Sequence, residues 1–130
     1  MKLITEEIKT KLASNKGDPN LDKPYLKLFS PIGGATWLIT EIVDEDTLFG
    51  LCDLGMGFPE LGYVSLQELE SLELPLSMKV ERDMYFEPSK TLEEYASVAR
   101  QHSRIVTEES LLNDTLSKLE THGMYFENND

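Results

Sequence analysis

The sequence predicts an α+β fold: a small, mostly antiparallel sheet of four or five strands, helices packed on it, and a helical C-terminal extension. Three observations point there. Two runs rich in β-branched and aromatic residues, 36–43 and 47–54, are joined by the short acidic turn Asp44-Glu45-Asp46, the pattern of a β-hairpin. Ser65-Leu66-Gln67-Glu68 and Thr91-Leu92-Glu93-Glu94 both match the capping box that opens a helix. The hairpin connections are too short for the crossover that parallel strands require.

The elements follow in order. Thr5 is placed to cap a first helix over 5–14, with Glu6 and Glu7 complementing its dipole and Ile4, Ile8 and Leu12 at helical spacing. Residues 14–20, with Gly17 and Pro19, form a polar loop. Tyr25–Phe29 alternates as a first strand, ended by Ser30-Pro31, and Gly33-Gly34 reads as a turn because no Gly-Lys-Ser/Thr follows to cradle a phosphate. In the hairpin, Trp37, Ile39, Glu41 and Val43 share one face and Thr36, Leu38, Thr40 and Ile42 the other. Neither face is wholly polar, so both are expected to be covered at least in part.

A Gly-rich connection, Gly55–Gly62, carries the apolar Met56 and Phe58 and leads into a brief strand at Tyr63-Val64. Ser65 then opens a helix through about Leu72, in which Glu68 is expected to complete the cap. After Pro75, residues 77–82 alternate as a further strand. Two helices are expected beyond residue 90, one from Thr91 and one from Thr107, the latter with a stripe of Leu111, Leu112, Thr115, Leu116 and Leu119 and a stop at Gly123. The organisation expected is thus a domain over 1–90 and a helical extension over 91–130 packed on it.

Charge is the least ordinary global property. The net charge is −12, and residues 28–78 hold nine acids with no Lys or Arg, three quarters of that net charge. This excludes direct binding of nucleic acid through its phosphates, which requires bases to neutralise them. No apolar run approaches the roughly 18 residues of a membrane span, and acids come too early for a secretory signal, so a cytoplasmic location is expected. The single Cys52 can form no internal disulfide and is expected to face the core.

One resemblance rests on particular residues: Met1-Lys2-Leu3-Ile4-Thr5, Thr36-Trp37, Leu48-Phe49-Gly50, Glu60-Leu61-Gly62-Tyr63, Ser65-Leu66 with Glu68-Leu69-Glu70-Ser71, Pro75-Leu76, and Glu81 to Phe86 with Pro88. In order and spacing, residues 1–90 resemble the domain-of-unknown-function family 2958. The resemblance implies a genomic context of bacterial plasmids, phages and integrative elements. It implies no activity or catalytic residue. The chain departs from that pattern where the family tends to have Gly beside Pro75-Leu76 and an aromatic residue at Val64.

No catalytic, cofactor or metal site emerges from the residues. His102 and His122 make no ligand motif, and Asp44-Glu45-Asp46 lacks the spacing and glycine of a calcium loop. Arg82 between Glu81 and Asp83 suggests an ion pair rather than catalysis. The expectation is therefore a non-enzymatic binding protein of a mobile element that engages a basic partner. Its contact residues would be Glu41, Asp44, Glu45, Asp46, Asp53, Glu60, Phe58, Trp37 and Tyr63. A sharper form is DNA mimicry, in which carboxylates spaced like phosphates inhibit a host defence or nucleic-acid-binding protein. Two alternatives stand beside it: a small-ligand or enzymatic site where the Gly55–Gly62 loop meets Trp37 and Tyr63, and a homodimer or other oligomer built through the C-terminal leucine stripe.

Overall fold

Strand alternation and pairing register produce a five-stranded antiparallel sheet with helices on both faces. In the computed structural model residues 2–122 are described, and Gly123 lies outside them. The strands are β1 (Leu26–Phe29), β2 (Thr36–Ile42), β3 (Thr47–Asp53), β4 (Glu60–Ser65) and β5 (Glu81–Arg82), in the spatial order β4-β3-β2-β1-β5. All four pairings are antiparallel. The helices are α1 (Glu6–Ala13), α2 (Leu66–Ser71), α3 (Leu92–His102) and α4 (Glu109–Thr121).

Two buried clusters hold the layers together. On one face Trp37, Ile39, Leu26, Leu28 and Leu48 pack with Leu3 and Ile4 of the N-terminal segment, Leu12 of α1 and Leu69 of α2. On the other, Leu38 and Leu51 pack with Leu92, Tyr95, Val98 and Ala99 of α3 and Leu112 of α4. The leucine stripe of α4 therefore turns inward: Leu112, Thr115 and Leu119 are buried, and Leu111 and Leu116 lie against the α3 cluster. At about 1.5–3 kcal/mol for each fully buried large apolar side chain, these clusters are the main favourable contribution to folding.

The local signals act largely as expected, with three differences. Thr5 accepts from the Ile8 amide, and Thr91 with Glu94 forms a complete capping box. At α2 only half the box forms. Ser65 Oγ accepts from the Glu68 amide, and a second cap comes from Asp46, whose carboxylate accepts from Ser65 Oγ at 2.6 Å and from the Gln67 amide at 2.7 Å. Glu68 is left at the surface. The strand expected over 77–82 shrinks to Glu81–Arg82, because Pro75–Ser77 closes a short 3₁₀ turn in which Leu76 and Ser77 adopt left-handed backbone. Conversely β4 spans six residues rather than two, since Thr47–Cys52 offers it a continuous partner. Asp83 pairs with Lys27 at 3.3 Å, and Arg82 donates to the Lys2 carbonyl.

The register of the central pair depends on a glycine. Between Ile39 and Glu41 the pairing of β2 with β3 shifts, a bulge centred on Thr40. Gly50 lies opposite Ile39, where a Cβ would overlap the Leu38 carbonyl oxygen and stand 2.8 Å from Ile39 Cα. Only hydrogen fits there. By contrast, nothing lies within 4 Å of a Cβ added to Gly62, its cross-strand neighbour on β4. Gly50→Ala is expected to cost about 3 kcal/mol in urea denaturation and Gly62→Ala less than about 0.5 kcal/mol. Equal midpoints for the two variants would show the register to be wrong.

Candidate functional site

The nine residues singled out by sequence fall into separate groups. Glu41 and the turn acids Asp44, Glu45 and Asp46 lie at one end of the β2–β3 hairpin, and Asp53 and Glu60 at the other. The seven-residue β3 between them spans roughly 20 Å at about 3.3 Å per residue. The carboxylates do not form one continuous face.

Several of them are committed to the fold. Asp53 is only 2% exposed. One of its oxygens accepts from the Gly55 amide at 2.8 Å and the other from the Ile105 amide at 3.0 Å. It ties the β3–β4 loop to the segment after α3. Asp46 caps α2 as described above. Asp44 accepts from the Asp46 and Thr47 amides, and these hydrogen bonds hold its fully exposed carboxyl below the usual range. Glu45 is exposed. The Glu41 carboxylate comes within 3.8 Å of a Cβ position on Gly17, beside a hollow that Lys9 and Lys16 also line. Acids and bases are thus mixed at that end.

Trp37 and Tyr63 occupy opposite faces of the sheet. Trp37, 2% exposed, lies in the cluster under α1 and α2, and its indole N–H has no partner among the described residues. Tyr63, 69% exposed, packs its ring on Phe49 at 5.0 Å on the α3 side. They therefore cannot line a single pocket. The physical reason is register: Trp37 pairs with Cys52, which pairs with Glu60, whereas Tyr63 is three residues further along β4 and points the other way. The Gly55–Gly62 loop is anchored as well. Gly55 has a φ of +80° and its backbone meets Gly34, where a Cβ would stand 3.3 Å from the Gly34 carbonyl carbon. Cys52, half-buried below, donates weakly to the Gly50 and Gly62 carbonyls, and desolvation pushes its thiol up to about 11, so it remains neutral at physiological pH.

What the fold does gather is apolar surface around β4. Leu54, Met56 and Phe58 project from the loop before it, Phe58 being 77% exposed, and Leu72 projects from the end of α2 after it. Between β4 and α2 runs a groove of about 510 Å³ lined by Trp37, Leu54, Val64, Leu69 and Leu72, with Glu68 and Glu73 at its rim. This volume lies within the roughly 300–1,000 Å³ range typical of binding pockets. Leu69, Leu72, Glu68 and Glu73 were missed by sequence reasoning, since Leu69 reads as core and Glu68 as a cap. The available signal was Leu72, an extra apolar residue after the helix is satisfied.

The family model described as protein of unknown function (DUF2958) matches residues 3–106. The chain belongs to the DUF2958 family. The matched span contains all five strands of this DUF2958 protein and runs through α3, so the family pattern includes the helix that covers the second face as well as the groove at β4. No curated protein and no solved structure matches the chain. Among the described residues no group of three or more His, Cys, Asp or Glu side chains converges to hold a metal ion. None of the described helices is long and apolar enough to cross a membrane.

The division between structural and surface acids is measurable. Asp53→Ala leaves two backbone amides without their acceptors and is expected to cost about 2–4 kcal/mol in denaturation. Glu45→Ala is expected to stay within about 0.5 kcal/mol. A reversed order would contradict the assignment.

Proposed function

We propose that this DUF2958 protein is a binding module that engages another protein through the end of the sheet formed by β4, its preceding loop and α2. The observation that carries the reading is the group of exposed large apolar side chains at this edge: Leu54, Met56 and Phe58 before β4, Leu72 at the end of α2, and Tyr63 on the other face of the same strand. An apolar patch of this kind, rimmed by polar residues, is characteristic of protein contact surfaces. The rim is acidic: Glu68 and Glu73 line the groove, and no Lys or Arg occurs anywhere between residues 28 and 78. The partner is accordingly basic around an apolar centre, and its association speeds up as salt falls. The mobile-element context implied by the family resemblance would make a host or element-encoded protein the natural candidate.

This reading modifies DNA mimicry. Phosphate imitation requires a run of free carboxylates, whereas here Asp46 and Asp53 are used internally and the remaining acids are divided between two ends of the hairpin. The anchor is apolar and the acids supply steering.

Capture from extracts of the source cells with the full-length protein tests the reading. Phe58→Ser together with Tyr63→Ser should reduce recovery of the salt-sensitive partner by about tenfold or more, the loss expected when aromatic anchors are removed, while Glu45→Lys leaves it intact. If Glu45→Lys abolishes capture and the double variant does not, or if wild type recovers no partner, the proposal is overturned.

A further inference from the structure

The sheet ends on one side in a strand with no Lys, Pro or bulge to guard it. Natural sheets guard their edges by shortening the edge strand, placing Lys or Pro on it, or bulging it. β5, at one edge, is two residues long. β4, at the other, pairs without a bulge over all six of its residues, Glu60 to Ser65, and contains neither Lys nor Pro. Its outer side carries backbone N–H and C=O groups that no strand of the described chain pairs.

The groove runs beside this edge. Val64 lies on the same face as Trp37, and Gly62, two residues before it, has no side chain and open space where one would stand. Leu69 and Leu72 of the α2 segment form the opposite wall. A free edge next to a strand–helix groove is the geometry in which an extended peptide adds to a sheet: main-chain hydrogen bonds supply affinity, and alternate side chains enter pockets.

Charge selects the occupant. Glu68 and Glu73 line the groove, Glu60 starts β4 in register with Cys52 and Trp37, and the 28–78 segment holds no base. A second copy of the chain, with net charge −12, would bring the same carboxylates against themselves across a two-fold axis. A segment with alternating apolar and basic residues fits both requirements. We infer that β4 accepts, as a sixth strand, an extended basic–apolar segment of another protein, its apolar side chains entering the Trp37–Leu72 groove and its bases meeting Glu60, Glu68 and Glu73. The inference rests on the reading that this end of the sheet is the partner face, and adds how the partner is held.

Trp37 is the chain's one tryptophan, so its emission reports on the groove. The test titrates the full-length protein with a capped peptide alternating Val or Leu with Lys or Arg, and with two derivatives N-methylated on either alternate set of backbone amides. The unmodified peptide should shift Trp37 emission saturably and bind more weakly as salt rises. One N-methylated derivative, the one blocking the edge-facing amides, should bind at least about tenfold more weakly, and so should the parent peptide to Leu72→Arg. Equal binding of all three peptides would overturn strand addition while leaving the partner face in place. No saturable binding overturns the inference, and the Phe58 and Tyr63 capture experiment then decides the broader reading separately. Sedimentation of the peptide-free protein as a dimer that Leu72→Arg dissociates would also overturn it, assigning the edge to a second copy.

Discussion

The whole arrangement depends on the close approach of β3 to β2 at Gly50. With no side chain there, the two central strands can come together across the bulge at Thr40, and the register that results decides which residues look which way. Trp37 and Ile39 are sent to the α1–α2 face, Leu38 and Leu51 to the α3–α4 face. A slip of one residue would exchange these sets and bury the wrong side chains under both layers. The same register propagates to β4, where it separates Val64, on the groove side, from Tyr63, on Phe49. The candidate site is therefore a consequence of the central pair rather than of the loop beside it.

Acidity has two roles in this molecule. Asp46 and Asp53 are bonded to backbone amides and hydroxyl, which makes them part of the frame: one starts α2, the other joins the β3–β4 loop to the chain after α3. Asp22 does the same for the loop after α1, accepting from the Lys16, Gly17 and Asp18 amides while its own carbonyl accepts from the Leu92 amide at the start of α3. Charge-assisted bonds of this type are stronger than neutral ones and compensate the cost of burying a carboxylate. Of the surface acids at β4 and α2, Glu68 and Glu73 line the apolar groove, and neither joins an ion pair among the described residues. A count of charges merges these two roles, but hydrogen-bond partners separate them.

Much of the fold was legible before any coordinates. Strand alternation with a short acidic turn announced the hairpin, Thr5 and Thr91 announced their helices, and apolar residues on both hairpin faces announced that each is covered at least in part. The bulge at Thr40 left no mark in composition, because it arises from how β2 meets Gly50 and not from a local propensity. The extent of β4 was missed for a related reason: Glu60, Leu61 and Gly62 are poor strand residues that become strand because Gly50 to Cys52 offer them partners. The site was legible only in part. Phe58, Trp37 and Tyr63 were named together as contact residues, but linear distance along a hairpin does not reveal that Trp37 and Tyr63 occupy opposite faces. Glu68 was assigned to a capping box, whereas Asp46, more than twenty residues earlier in the chain, supplies the second cap by accepting from the Ser65 hydroxyl and the Gln67 amide.

Strand addition at β4 requires an open edge beside a stable central pair. Residue-resolved amide hydrogen exchange on the isolated full-length protein measures this directly. The predicted result is strong protection throughout β2 and β3, with amides along β4 alternating between protected, where they pair with β3, and fast-exchanging, where they face outward. Uniform protection of β4 in the isolated protein would mean that something already covers its edge, and would contradict the account.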